Sequence, residues 1–94
     1  NVELLSSNST NWRSPRTPQR SRIYIANASR RSVRLEWIDF DGNTKAYGVE
    51  LRPTDHKTEY TYAGHVWRIV DDKTGRVLHY FVTPKAPGKV VIKD

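Results

Sequence analysis

Apolar positions along the chain recur at the two-residue spacing of β-strands. Val33, Leu35 and Trp37 alternate with charged residues, so one face of this segment is apolar and the other is charged. Other short runs are rich in the β-branched and aromatic residues that strands favour, and no segment has a convincing helical period. The predicted strands cover residues 22–26, 32–37, 44–47 with 49–51, 58–62, 65–70, 77–82 and 90–92.

Turn-forming residues separate these runs. Asp41-Gly42-Asn43 is a strong turn signal because glycine adopts positive φ angles readily, and Pro53 ends the run that follows. About seven strands at spacings of roughly eight to twelve residues predict an all-β fold, an antiparallel β-sandwich. A small closed barrel is the alternative architecture.

The first 21 residues lack this alternation. They contain a polar run from Ser6 to Asn11, two prolines and one aromatic residue, Trp12. Such a segment buries too little apolar surface to offset the entropy that is lost when it becomes ordered. We therefore predict a flexible basic tail over residues 1–21 and a β-sandwich domain over residues 22–94.

The charge balance raises the question of nucleic acid. The net charge is +6, and four arginines against one glutamate in residues 1–22 supply half of that excess. The other basic residues, twelve against nine acidic ones, alternate with them and do not form the dense stripe of a nucleic-acid surface. Nucleic acid is therefore disfavoured as a partner. A basic β domain that binds nucleic acid or another polyanion stays as an alternative function.

Signatures of catalysis and of metal binding are missing from the sequence. The absence of cysteine excludes a disulfide framework and a thiolate zinc site. His56, His65 and His79 do not have the spacing of metal ligands, and there is no glycine-rich phosphate loop or nucleophile motif. We predict neither an enzyme nor a cofactor. No run approaches the ~18 apolar residues of a membrane helix, so a membrane partner is not predicted either.

The stretch from Thr61 to Trp67 carries an unusual combination of side chains. If it stays extended, Thr61, His65 and Trp67 project to the same side. A hydroxyl, an imidazole and an indole suit a shallow pocket with one flat apolar wall and two hydrogen-bonding groups, because a dry core would leave their polar atoms without partners. The alternative is a structural sandwich domain in which Trp67 is core. Low accessibility of Trp67 and His65 favours that alternative.

Several motifs follow one another in order over residues 22–84. They are Asn27-Ala28-Ser29, Trp37 with Phe40-Asp41-Gly42 shortly after it, Tyr47, and the cluster Tyr60-Thr61-Tyr62-Ala63-Gly64-His65-Val66-Trp67. This ordered set resembles the β domain of the von Hippel–Lindau tumour suppressor family. The resemblance implies a sandwich that binds 4-hydroxyproline in an extended peptide segment of a hypoxia-inducible transcription factor. It therefore implies a protein–protein interaction domain of a ubiquitin ligase substrate receptor.

The resemblance also assigns a peptide-binding site to seven residues. They are Trp37, Tyr47, Tyr60, Thr61, Tyr62, His65 and Trp67. Trp67 forms the floor beneath the pyrrolidine ring, with aromatic walls around it, and the main chain of Tyr60 pairs with the peptide. Thr61 and His65 hydrogen-bond the hydroxyl that prolyl hydroxylation adds. The expected partner is a hydroxyproline-containing peptide or protein.

Some positions depart from the best-known member of that family. Thr61 stands in place of a serine, which keeps the hydroxyl, Tyr60 replaces a histidine, and Ala63 replaces an arginine beside the pocket. The helical region that recruits elongin C does not follow Asp94 in this sequence. Elongin C is therefore expected as a partner only if a helical domain exists outside this chain. The expected compartment depends on the role of the protein. A ligase receptor would be cytoplasmic or nuclear, and a protein with an extracellular ligand would be secreted.

Overall fold

The computed structural model describes residues 1–8 and 11–94. Eight strands account for its regular structure: β1 (Leu5–Ser6), β2 (Arg20–Asn27), β3 (Val33–Ile38), β4 (Thr44–Leu51), β5 (His56–Tyr62), β6 (Val66–Asp71), β7 (Val77–Val82) and β8 (Gly88–Ile92). The described residues form no helix, and therefore none that is long and apolar enough to span a membrane.

The strands form two sheets. One has five strands in the order β1-β7-β6-β3-β4, and the other has three in the order β5-β2-β8. All neighbouring strands are antiparallel except β2 and β8, which run parallel from the Ile23–Gly88 pair to the Asn27–Ile92 pair. The predicted all-β sandwich is confirmed. The parallel pair and the short additional strand β1 are the two departures from the predicted arrangement.

The core lies between the two sheets, where alternation directs the apolar side chains. It contains Ile23, Ile25, Val33, Leu35, Leu51, Trp67, Ile69, Phe81, Val90 and Ile92. Each of these side chains is at most 3% exposed, and burial of one such side chain contributes about 1.5–3 kcal/mol. Trp67 belongs to this cluster and also lines the cavity described below, so the site adjoins the core directly.

The N-terminal segment departs from the predicted flexible tail because it lies against the sandwich. Leu5 and Ser6 pair with β7, and the Val2 N–H donates to the Lys89 carbonyl at 2.8 Å. The Ser14 hydroxyl is buried, donates to the Ile38 carbonyl and accepts from the Val66 N–H at 2.9 Å. The predicted boundary also falls inside β2. The entropy argument counted apolar surface alone, and here backbone pairing and one buried hydroxyl hold the segment.

The predicted extended run from Thr61 to Trp67 is a corner in the structure. β5 ends at Tyr62 in the three-stranded sheet, and β6 begins at Val66 in the five-stranded sheet. Gly64 makes this crossing possible with a φ of 83°. A Cβ at this glycine would lie 2.9 Å from Cγ of Pro15, so the close approach of the N-terminal segment requires glycine as well.

Candidate functional site: an aromatic cavity between the sheets

A cavity of about 180 Å³ lies between the two sheets. Residues of the outermost strands β4 and β5 line it, together with residues of β3 and β6. Its lining residues are Trp37, Phe40, Tyr47, Tyr60, Thr61, Tyr62, His65 and Trp67. The structure thus brings together all seven residues that the sequence predicted for the site. Phe40 is an eighth residue, which the sequence prediction did not include in the site.

Indole and phenol rings form the floor and one wall of the cavity. Trp67 is 2% exposed, and its ring meets Tyr47 edge to face with centroids 5.1 Å apart. Trp37 is opposite Trp67 in the register of β3 and β6, and its ring centroid lies 6.4 Å from that of Tyr47. Edge-to-face contact is a favoured arrangement of aromatic pairs, and these rings together give the cavity an apolar surface.

The tyrosines of β5 frame the opening because of the alternation along this strand. Thr61 pairs with Ser21 of β2 and is buried, whereas its neighbours Tyr60 and Tyr62 are exposed on the outer side of the sheet. A period of two residues therefore places one hydroxyl inside the cavity and a phenol on each side of it. Tyr60 is 76% exposed, which leaves its ring free to contact a ligand.

His65 reaches the cavity through the corner between β5 and β6. Two hydrogen bonds fix the backbone there: the Gly64 N–H donates to the Thr83 carbonyl at 2.9 Å, and the Thr83 N–H donates to the His65 carbonyl at 2.8 Å. The Thr83 hydroxyl donates to the same His65 carbonyl at 2.9 Å. Thr61, His65 and Trp67 therefore converge because the chain turns between sheets, and not because they share one extended face as the sequence predicted.

Aromatic rings surround the His65 imidazole. It stacks on Trp37 with an interplanar angle of 28° and centroids 5.4 Å apart, and Phe40 and Tyr62 approach it from other sides at 5.7 and 5.3 Å. Burial lowers the pKa of His65, and a hydrogen bond to the Pro15 backbone opposes part of that change. The ring is therefore neutral at pH 7, with one nitrogen that donates and one that accepts.

Two indole N–H groups at the site have no hydrogen-bond partner. The Nε1 atoms of Trp37 and Trp67 are buried and unpaired in the part of the chain that the structure describes. Buried donors in native proteins are nearly always paired, and an unpaired one costs about 1–3 kcal/mol. The Nε1 atom of Trp12, which lies outside the cavity, also has no partner among those residues, so unpaired indole groups do not by themselves distinguish the site from the core.

Low exposure of the cluster is the result that the structural alternative predicted. Trp67 is 2% exposed and His65 is 6% exposed, and Thr61 is 7% exposed. What distinguishes this cluster from ordinary core is the cavity above it, with Tyr47 half exposed at its rim.

Neither a metal site nor a second histidine belongs to the cavity. Among residues 1–8 and 11–94, no three histidine or carboxylate side chains lie close enough together to hold a metal ion. His56 lies on the outer side of the three-stranded sheet beside Tyr24, with ring centroids 5.5 Å apart, and His79 lies on β7 near Leu5. The chemistry of the cavity is therefore that of stacking and hydrogen bonding.

Comparison with known families identifies the domain. Residues 12–83 match the family described as the VHL beta domain. This chain belongs to that family. No curated protein matches the chain significantly. The VHL beta domain is a recognition domain that takes part in protein–protein interaction, so the resemblance of residues 22–84 is confirmed. The match begins ten residues earlier, at Trp12, and includes Ser14 and Pro15, which the structure places against β6 and His65.

Proposed function

We propose that this chain is a non-catalytic recognition domain for peptides that contain 4-hydroxyproline, like the substrate-binding domain of an E3 ubiquitin ligase receptor. The observation that supports the proposal is that Thr61, His65 and Trp67 line the same cavity. The proposal concerns peptide recognition. Assembly with elongin C would need a helical domain outside this chain.

The aromatic floor suits a proline ring. A pyrrolidine ring packs on indole and phenol faces, and an extended or polyproline-like peptide has little entropy left to lose when it binds. Stacking on Trp67 and Tyr47 treats proline and hydroxyproline alike, because both rings have the same apolar faces. The floor therefore contributes affinity and not selectivity.

Selectivity is assigned to Thr61 and His65. A hydroxyproline hydroxyl can exchange hydrogen bonds with the threonine hydroxyl and with a ring nitrogen of the neutral histidine. Unmodified proline covers the same two groups, removes water from them and offers no partner. An unsatisfied buried group costs ~1–3 kcal/mol, so two of them give a preference of order 10²–10⁴.

The backbone of the peptide has a place to pair. β5 is the last strand of its sheet and has a single neighbour, β2, among the described strands. Main-chain groups of Tyr60 on the other edge of β5 are therefore accessible to an added strand. This supports the assignment of Tyr60 to main-chain contact, although its ring is the most exposed of the large apolar side chains.

The test is a paired titration of the whole chain by calorimetry. One peptide is used in two versions that differ only by the 4-hydroxyl of its central proline. We expect measurable binding of the hydroxylated version alone. Thr61→Ser, which keeps the hydroxyl, should retain the preference, and Thr61→Val, which loses it at nearly constant volume, should reduce the preference by about tenfold or more. His65→Ala should have a similar effect.

Packing alone predicts a different pattern. If Thr61 and His65 serve only the core, Thr61→Val changes the free energy of unfolding but no peptide titration, and both versions bind equally or not at all. A variant that fails to fold would also show no peptide binding. Each variant is therefore first checked for a cooperative urea transition. Equal affinity of the folded wild-type chain for both versions would contradict the proposal.

A further inference from the structure

A second groove lies beside the cavity on the outer side of the three-stranded sheet. It has a volume of about 230 Å³ and is lined by Arg20, Ser21, Arg22, Tyr60, Lys85 and Pro87. The lining includes three cationic side chains and no carboxylate. Apolar contact comes from the tyrosine ring and the proline.

Among the residues that the structure describes, the cations of this groove belong to the unpaired part of the domain's sixteen basic residues. Six basic residues form ion pairs within the described part of the chain: Arg30, Arg31, Arg34, Arg52, Lys57 and Arg68. Arg20, Arg22 and Lys85 have no carboxylate within salt-bridge distance among those same residues. Their charges are therefore not neutralised locally and produce a positive field at the groove.

The groove and the cavity share a wall. In the register of β2 and β5, Arg22 is opposite Tyr60 and Arg20 is opposite Tyr62. Residues opposite each other in antiparallel strands have Cβ atoms about 4.5–5.5 Å apart. Since both tyrosines also line the cavity, a peptide that leaves the cavity across Tyr60 reaches the two guanidinium groups within a few residues.

We propose that this groove binds acidic side chains that flank the hydroxyproline of the same peptide. The inference rests on the proposed function of the cavity. Arginine presents a planar fork that accepts a carboxylate in bidentate fashion, and lysine adds a mobile point charge at the far side. The three cations thus give the domain a preference for the sequence around the hydroxyproline, which stacking and hydroxyl recognition do not supply.

A peptide fits this surface better than a nucleic acid does. The groove has three uncompensated cations, and they border a cavity of only about 180 Å³. A nucleic acid needs a longer basic track along its backbone. A short acidic peptide segment needs only the two or three contacts that the groove offers.

The experiment uses the whole chain and hydroxyproline peptides with three flanking acidic residues or their amide counterparts. The flank is placed before the hydroxyproline in one set and after it in another. The groove variant is Arg22→Glu with Lys85→Glu. Its matched control is Lys73→Glu with Arg76→Glu, which changes the net charge equally at exposed positions on the β6–β7 turn. Titrations are performed at about 50 and 200 mM salt, a range over which exposed pairs are increasingly screened.

At low salt, we expect the peptide with one of the two acidic flanks to bind about tenfold more tightly than its amide counterpart, because each exposed ion pair contributes modestly. At high salt this difference in affinity should be smaller. The groove variant should lose this flank preference and keep its preference for hydroxyproline, while the control variant keeps both. Equal binding of acidic and amide flanks, with hydroxyproline still preferred, would overturn the groove inference and leave the proposed function standing.

Two further outcomes count against the inference. If the control variant loses the flank preference as fully as the groove variant does, overall charge is the cause and the groove is not. If a single-stranded oligonucleotide displaces the peptide, and the groove variant no longer binds the oligonucleotide, the groove is a nucleic-acid-binding surface. Binding of acidic peptides that ignores hydroxylation altogether would contradict the proposed function itself.

Discussion

The outer faces of the two sheets carry opposite arrangements of charge. On the five-stranded sheet, Glu36 accepts a hydrogen bond from Arg68 at 2.6 Å and pairs with Arg34 at 3.4 Å, and Arg34 also pairs with Asp72 at 3.3 Å. On the outer face of the three-stranded sheet, Arg20 and Arg22 adjoin the exposed Tyr62 and Tyr60, and neither arginine has a carboxylate within salt-bridge distance among the described residues. Ion pairs within the fold cancel in the net charge of +6, so that number alone does not show where the unpaired cations lie.

Burial explains the difference between the two faces. The Glu36 side chain is 9% exposed, and that of Arg68 is 25% exposed. A charge removed from water to this extent needs a partner, so the network maintains the sheet. The arginines of β2 are exposed, so they remain hydrated and impose no such requirement. Their side chains are available to an external ligand.

The largest effect is expected when the network on the five-stranded sheet is broken. Glu36→Ala leaves Arg34 and Arg68 without their shared partner and should lower the free energy of unfolding by about 3 kcal/mol. Glu36→Gln, which keeps the shape and one acceptor, should cost about half as much. Arg22→Ala on the other face should change stability by less than ~0.5 kcal/mol.

Urea unfolding followed by tryptophan fluorescence measures all three variants. Glu50→Ala is the matched control, since it removes an exposed carboxylate from the same sheet. Equal costs for Glu36→Ala and Glu50→Ala would show that the paired carboxylate contributes no more to stability than an exposed one on the same sheet, which would contradict the role given to the network.

A smaller loss is expected at the point where the N-terminal segment crosses the five-stranded sheet. Ser14→Ala removes the hydroxyl that bridges the Ile38 carbonyl and the Val66 N–H, and it should cost about 2 kcal/mol because two buried backbone groups lose their partner. Amide hydrogen exchange at Val66 should accelerate in this variant. Ser7→Ala, at an exposed serine of the same segment, is the control. An unchanged exchange rate at Val66 would mean that the segment is as loosely held as the sequence suggested.

The site was easier to predict from sequence than the route by which it forms. The alternation of apolar and charged residues predicted β3, and the order of the motifs predicted the seven site residues. Both predictions depend only on which residues occur at which positions. The corner at Gly64 was missed because a parity argument assumes one continuous strand, whereas a positive φ changes the direction of the chain. Phe40 was quoted as part of a motif but not assigned to the cavity. Its position three residues after Trp37 was the available signal, and in the structure its ring centroid lies 5.4 Å from that of Trp37 and 5.7 Å from that of His65.

The parallel pairing of β8 and the docking of Ser14 had no local signal. The pairing of β8 with β2 joins residues that are more than sixty positions apart. The alternation within each strand does not indicate whether the two strands pair in parallel or antiparallel orientation. The Ser14 hydroxyl bridges two distant strands, so the polar sequence around it gave no indication of burial. Both features depend on tertiary contacts, which local patterns do not contain.

The smallest predicted effect is a pH dependence that separates the cavity from the charged faces. Because burial lowers the pKa of His65 from its ordinary value of 6.5, the unfolded chain binds the proton more readily than the folded chain does. Stability should therefore fall as the pH drops through 6.5 and should level off below the folded pKa. The carboxyl of Asp71 has its pKa lowered from 3.8, chiefly by a hydrogen bond from Arg31, so its contribution is lost only at more acidic pH. Urea midpoints between pH 8 and 5 isolate the histidine, and His65→Gln should flatten the profile. A slope that survives this substitution would place its origin outside the cavity.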